Sequence, residues 1–145
     1  MSDSFFTGTW YGQYSYGAGY GEDYEGMSTT FEISLTVKDG ILHGTCVDDP
    51  AVVSLKKPAI IEGFIEGTFI SFVKKYAYAW IIDVSGRAVE FPDRASHEIH
   101  YSGSFVEDRF EGEWEIMNTT HINEEGNIVE NALCGTWTMR HAGDL

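Results

Sequence analysis

Apolar and polar side chains alternate without a break from residue 27 to residue 38. Met27, Thr29, Phe31, Ile33, Leu35 and Val37 fall on one face, and Ser28, Thr30, Glu32, Ser34, Thr36 and Lys38 on the other. Residues two apart share a face of a strand, so this stretch reads as a half-buried antiparallel strand. Asp39-Gly40 follows, a two-residue hairpin signal, and Ile41 to Val47 returns beside it. Phe110 to Ile116 repeats the pattern, with Phe110, Gly112, Trp114 and Ile116 inward and Arg109, Glu111, Glu113 and Glu115 outward. Before it, Glu98 to Phe105 sets Ile99, Tyr101, Gly103 and Phe105 together, and Glu107-Asp108 reads as the turn between the two.

The ends of the chain alternate as well. Thr7 to Tyr16 places Gly8, Trp10, Gly12 and Tyr14 inward, and Ala132 to Arg140 places Leu133, Gly135, Trp137 and Met139 inward. The middle is less regular. Ala59 to Ile65 is a predicted strand, Glu66-Gly67 a turn, Thr68 to Lys75 the return and Tyr76 to Val84 a further strand before Ser85-Gly86. The run Phe72-Val73-Lys74-Lys75-Tyr76 also fits a helix. Loops are predicted at Gly17 to Gly26, Asp48 to Pro58, Gly86 to Ser96 and Asn118 to Asn127.

Three of these strands carry the same tripeptide: Gly8-Thr9-Trp10, Gly112-Glu113-Trp114 and Gly135-Thr136-Trp137. Each puts a bare backbone and an indole side by side on one face. Glycine permits a bend and tryptophan fills the space inside it, the pairing a strongly curved sheet needs. About eight to ten short strands joined by hairpins tend to close, which removes their edges. The expectation is an all-β chain, a single closed antiparallel up-and-down barrel spanning residues 1–145. A barrel of this size is filled by side chains or holds one small ligand.

Composition supports one domain with a real core: 145 residues, 43% hydrophobic and 14% aromatic. The balance of 9 basic against 23 acidic residues gives −14. That field repels phosphate backbones and anionic membrane surfaces, so neither nucleic acid nor a membrane is an expected partner. Met1-Ser-Asp-Ser leads into a strand without a basic start or an apolar core, so no secretory signal is read and the cytoplasm is the expected location. Cys46 and Cys134 are read as reduced, semi-buried thiols.

A Gly-x-Trp on the first strand, a meander of hairpins and a last Gly-x-Trp strand together resemble the calycin superfamily of lipocalins, fatty-acid-binding proteins and avidins. Gly8-Thr9-Trp10-Tyr11 looks most like the opening of an avidin-type barrel. Arg140, three residues after Trp137, sits near where calycins often carry an Arg over the first-strand Trp. Gly12 stands where avidin-type barrels place a polar biotin contact. No helix-turn-helix lid follows the first strand, and the N-terminal helical turn of lipocalins has no counterpart. The resemblance implies a barrel with one ligand-capable end, and by analogy the pairing of two copies through their outer sheets.

The expected function is therefore binding of a small apolar or amphipathic molecule inside the barrel, without chemistry and without a cofactor. The candidate ligand-binding residues are Trp10, Tyr14, Tyr101, Trp114 and Trp137 as walls, with Tyr16 and Tyr20 of the Tyr/Gly-rich segment over the mouth. The bland alternative is that these rings only fill the core. A different class is a small barrel enzyme, an isomerase or cyclase, using His43 or an inward carboxylate. His43 faces outward if Gly44 faces in, and inward if Ile41 and Val47 form the core face. Lys74 or Lys75 could meet an anionic ligand group at an open end, or be an ordinary surface lysine. His121 and His141 read as loop and tail residues. No calcium loop, nucleophile elbow, phosphate loop or zinc spacing is present.

Overall fold

The computed structural model describes residues 3–17, 26–49, 57–82, 88–91, 93, 98–122, 125–126 and 128–142. Among them lie one short helix, α1 (Asp3–Phe6), and ten strands. These are β1 (Gly8–Tyr16), β2 (Ser28–Lys38), β3 (Ile41–Asp48), β4 (Ala59–Glu66), β5 (Phe69–Lys75), β6 (Ala79–Ile82), β7 (Ala88–Phe91), β8 (Glu98–Val106), β9 (Arg109–Ile122) and β10 (Ile128–His141). Eight strands close a barrel in the order β1-β10-β9-β8-β5-β4-β3-β2, while β6 and β7 form a separate ribbon. Every adjacent pair in the barrel is antiparallel. Sequence neighbours pair throughout except at β5–β8, where the β6–β7 ribbon is inserted, and at β1–β10, which closes the ring. This is the closed up-and-down barrel expected from the alternation. No helix among the described residues is long and apolar enough to cross a membrane.

The short turns gather at one end. Asp39 and Gly40 have φ of 54° and 78°, the left-handed pair that a type I′ hairpin turn requires. The next turn is shifted by one residue from the expected Glu66-Gly67. Glu66 stays in register with Phe69, which leaves Gly67-Thr68 as the loop. Glu107-Asp108 turns as expected, between Val106 and Arg109. The opposite end carries the longer connections β1–β2, β3–β4, β5–β8 and β9–β10. We call these the short-turn end and the long-connection end.

Inside, the alternation holds. Thr29, Phe31, Ile33, Leu35 and Val37 of β2 are all buried. Met27 is not; it precedes the ladder and is 54% exposed. The run from Phe72 is a strand and not a helix, with Phe72, Lys74 and Tyr76 buried. Several predicted boundaries move. Asp48 belongs to β3, opposite Phe31, and is buried rather than in a loop. β9 runs on to Ile122, because a polar stretch can pair as well as an apolar one. β7 interrupts the expected loop from Gly86 to Ser96. A four-residue helix precedes β1, where the sequence led us to expect no N-terminal helical turn; it is too short to show any period.

The two later Gly-x-Trp motifs face each other. Across β9 and β10, Gly112 opposes Trp137 and Trp114 opposes Gly135. The Trp114 indole lies against Gly135 and the Trp137 indole against Gly103, and each donates to a backbone carbonyl. Trp114 Nε1 donates to Ser15 O at 3.1 Å, and Trp137 Nε1 is 3.1 Å from both Ser102 O and Glu113 O. A Cβ on Gly135 would sit 2.6 Å from Trp114 Nε1 and 1.8 Å from Ser15 O. The glycine is therefore required by close approach of ring and neighbouring strand, not by a turn.

Candidate functional site

The two ends of the barrel differ in chemistry. At the short-turn end, Phe6 of α1 packs on Phe110 and Phe105, with ring centroids 5.6 and 6.2 Å away. Trp10 is fully buried beneath it and donates Nε1 to Phe6 O at 2.8 Å. His141 lies edge-on to the Trp10 ring at 5.0 Å. This end is an aromatic plug.

The long-connection end holds a buried polar cluster. β3 contributes Cys46 and Asp48, β5 contributes Lys74, and Tyr76 follows directly after β5. Lys74 Nζ donates to Asp48 Oδ1 at 2.7 Å, and Tyr76 Oη donates to Asp48 Oδ2 at 2.5 Å. The Cys46 thiol points at Asp48 Oδ1 from 3.9 Å. The Lys74 and Asp48 side chains are each only 2% exposed. The ammonium also lies 4.9 Å from the ring centres of both Tyr14 and Tyr76, within reach of a cation–π interaction.

Strand periodicity explains the assembly. Cys46 and Asp48 are two apart on β3, and Phe72, Lys74 and Tyr76 continue the inner face of β5. A charge in this position must be paired, because burial of a lone ion is prohibitive. Around the cluster stand Tyr14 from β1, Phe31 from β2, Tyr101 from β8 and Trp114 from β9. Tyr14 stacks on Phe31 at 6.1 Å and meets Trp114 edge-on at 6.1 Å. Tyr101 stacks on Phe72 at 4.7 Å. Tyr16 is half-buried, with Oη 3.3 Å from Thr29 Oγ1.

Protonation follows from burial. Desolvation pushes the Cys46 thiol up to about 12, with the Lys74 charge opposing it. Desolvation likewise raises the Tyr14 and Tyr101 phenols well above their ordinary value, again against Lys74. Tyr76 moves in the same direction for the same first reason. For Lys74, burial alone favours loss of the proton. The surrounding Cys46, Tyr101, Tyr76 and Asp48 outweigh it, and the net direction is upward. Of these, the Asp48 carboxylate is the partner in direct contact. At neutral pH Lys74 is thus charged, and the thiol and phenols around it are protonated.

The structure gathers Tyr14, Tyr16, Tyr101 and Trp114 at this end. Trp137 sits midway, against Phe72, Tyr101 and Phe110. Trp10 lies at the opposite end, within the plug. Tyr20 and most of the Tyr/Gly-rich segment fall outside the described residues, as do His97, Ser85-Gly86 and the acids Glu22, Asp23 and Glu124. Arg140 is exposed, in register with Tyr11, and does not cover Trp10. Strand alternation turns it outward and brings His141, read from sequence as a tail residue, onto the indole. His121 is a residue of β9 and not of a loop. Gly44 and Leu42 share the inner face, so His43 is exposed. Lys74 is the buried member of the lysine pair and Lys75 the exposed one. Cys46 and Cys134 are both free; Cys46 is buried, whereas Cys134 is exposed rather than semi-buried.

Sequence reasoning missed Asp48 and Tyr76. The available signal was in-phase spacing: Asp48 continues Leu42-x-Gly44-x-Cys46, and Tyr76 continues Phe72-x-Lys74. A separate open groove of ≈ 580 Å³ lies along the outside of β1, β10, β9 and β8, lined by Gln13, Ser15, Glu111, Glu113, Thr136 and Thr138 among others. It holds none of the polar cluster, and we place the candidate site at the cluster, where buried polar groups need a reason.

No protein-family model matches the chain, and no curated protein does. Among solved structures the chain is similar to apo shwanavidin, with 14% identity over 87% of this chain and 93% of that one and a TM-score of 0.44. It is also similar to rhizavidin, with 14% identity over 89% and 81% and a TM-score of 0.42. The eight-strand antiparallel ring, with Gly-x-Trp on its first and last strands, has the calycin-like architecture that the sequence led us to expect.

Proposed function

We propose that this barrel binds a small, partly apolar molecule at its long-connection end and does not transform it. The observation that carries the reading is the buried Lys74–Asp48–Tyr76 cluster walled by Tyr14, Tyr101 and Trp114. A core built only for stability gains more from apolar residues than from an ion pair. A few polar groups in an aromatic wall suit a binding site, where they fix orientation while the rings supply contact area. Both oxygens of the inward carboxylate already accept from Lys74 and Tyr76, which favours positioning over acid–base turnover.

The reading is tested by titrating fatty acids, haem, flavin and terpenoid-like compounds while following Trp fluorescence and melting temperature. Trp114 stands in the wall, so an occupant is expected to change its emission. At a hundredfold excess over Kd the ligand is expected to add about 2.7 kcal/mol of stability. No response from any class, together with a crystal structure showing a filled interior, would leave a packed structural barrel instead.

The pairing of two barrels belongs to the same proposal. Ile41, Phe64 and Phe69 form an apolar patch on the outside of β3, β4 and β5, each at least 41% exposed. A second copy is expected to cover it, and sedimentation across a concentration range tests this; a monomer at every concentration removes the dimer without touching the ligand site.

A further inference from the structure

We propose that the ligand group seated at the cluster is an uncharged hydrogen-bond acceptor, such as an amide or ketone carbonyl, received by Lys74, Tyr14 and Tyr101. This rests on the binding function proposed above and narrows its ligand class.

Charge is the first ground. Lys74 and Asp48 neutralise one another at 2.7 Å with both side chains buried. No net positive charge remains to repay the dehydration of an anion. A carboxylate ligand would also bring a second negative charge beside Asp48, in a chain that already carries −14. A cationic ligand fares no better, because the two aromatic faces and the carboxylate that would hold it already hold the Lys74 ammonium.

Hydrogen-bonding capacity is the second. An ammonium has three N–H donors. Among the described residues Asp48 supplies the one oxygen that accepts from Lys74. The Tyr14 and Tyr101 hydroxyls make no hydrogen bond with the described residues, although both side chains are at least 94% buried. No side-chain polar atom there is both sealed from solvent and without a partner. Both phenol oxygens therefore keep some accessible surface. Burial keeps these phenols protonated, so each can donate. Tyr101 and Tyr14 also lie within the electrostatic reach of Lys74. Three donors with spare capacity at one end of the barrel interior, among aromatic rings, call for an acceptor. An uncharged one fills that role without an added ion.

The experiment uses matched sets of small ligands on straight-chain and phenyl-bearing skeletons. Each skeleton is offered as carboxylate, primary amide and methyl ketone at neutral pH, with Trp fluorescence and calorimetry as readouts. The amide or ketone is expected to bind about tenfold tighter than the carboxylate, and Tyr14→Phe and Tyr101→Phe are each expected to weaken it by about tenfold, the scale of one lost hydrogen bond. These variants keep the ring, and their melting curves report whether the fold is retained. Carboxylates that bind tighter than their amides overturn the inference and leave a ligand-binding barrel standing. Unchanged affinity in both folded tyrosine variants also overturns it. Silence from every skeleton and every head group overturns the inference and the binding function together.

Discussion

Gly135 has no room for a methyl group. The ring it would strike belongs to Trp114, whose indole donates past it to Ser15 O. Gly135→Ala is expected to cost about 3 kcal/mol through overpacking, read as a lower denaturation midpoint. Gly67→Ala is the control: nothing lies within 4 Å of its Cβ position and φ is +62°. There only the left-handed backbone is penalised, by about 1 kcal/mol. Equal losses at the two sites would contradict the interlocked arrangement. At the polar end, Asp48→Ala leaves a buried ammonium unpaired and is expected to cost about 3–5 kcal/mol. The double variant Lys74→Met with Asp48→Leu is expected to recover most of it, because no charge is then stranded. The pH dependence follows from groups that all shift upward. Their contribution is complete below the ordinary values, 9.0 for Cys46, 10.0 for the tyrosines and 10.5 for Lys74. Above those values the unfolded chain releases protons that the folded chain retains, so stability falls as pH rises, for Cys46 between 9.0 and about 12. Denaturant unfolding across that range is expected to steepen with each such group. Tyr101→Phe removes one of them and is expected to flatten the slope by about 1.4 kcal/mol per pH unit.

Elements differ in how openly the sequence declares them. β2 is legible because one of its faces meets the core and the other meets water, which writes a strict alternation. Lys74 was obscure for a related reason. Lys74 and Lys75 are identical in sequence, and only their phase on β5 decides which is buried. That phase depends on pairing with β4 and β8, which no local window reports. Asp48 ended the apparent strand because an acid seldom sits on an inner face; its partner lies 26 residues away. The polar second half of β9 and the four residues of α1 carried no period to detect. Yet α1 has a structural task, since Phe6 is 2% exposed and its carbonyl receives the Trp10 indole. Phe6→Ala is expected to destabilise the protein by about 3–5 kcal/mol and to shift Trp emission toward that of a hydrated indole. A change within a few tenths of a kcal/mol would mean that the plug is dispensable.

For the whole molecule, closure of the ring decides what the other scales can do. It gives every inner position a shared interior, so residues distant in sequence form one cluster and the two ends acquire different characters. The wall aromatics could be read from the chain, but their division between a plug around Trp10 and the polar cluster's surroundings near Trp114 needed the register of all eight strands. The excess of acid is a whole-molecule property as well. At low ionic strength a net charge of −14 repels itself, so raising salt toward about 0.5 M is expected to increase the melting temperature by screening. Ligand is expected at the Lys74–Asp48 end of the interior and not at the plug. Calorimetric titration of the tightest panel ligand into the wild type, Trp114→Phe and Trp10→Phe tests it most directly. Affinity is expected to fall about tenfold in Trp114→Phe, the scale of a lost aromatic contact in a pocket wall, and to stay within a factor of about two in Trp10→Phe, provided both variants fold. Loss of binding in Trp10→Phe with Trp114→Phe unaffected would contradict it.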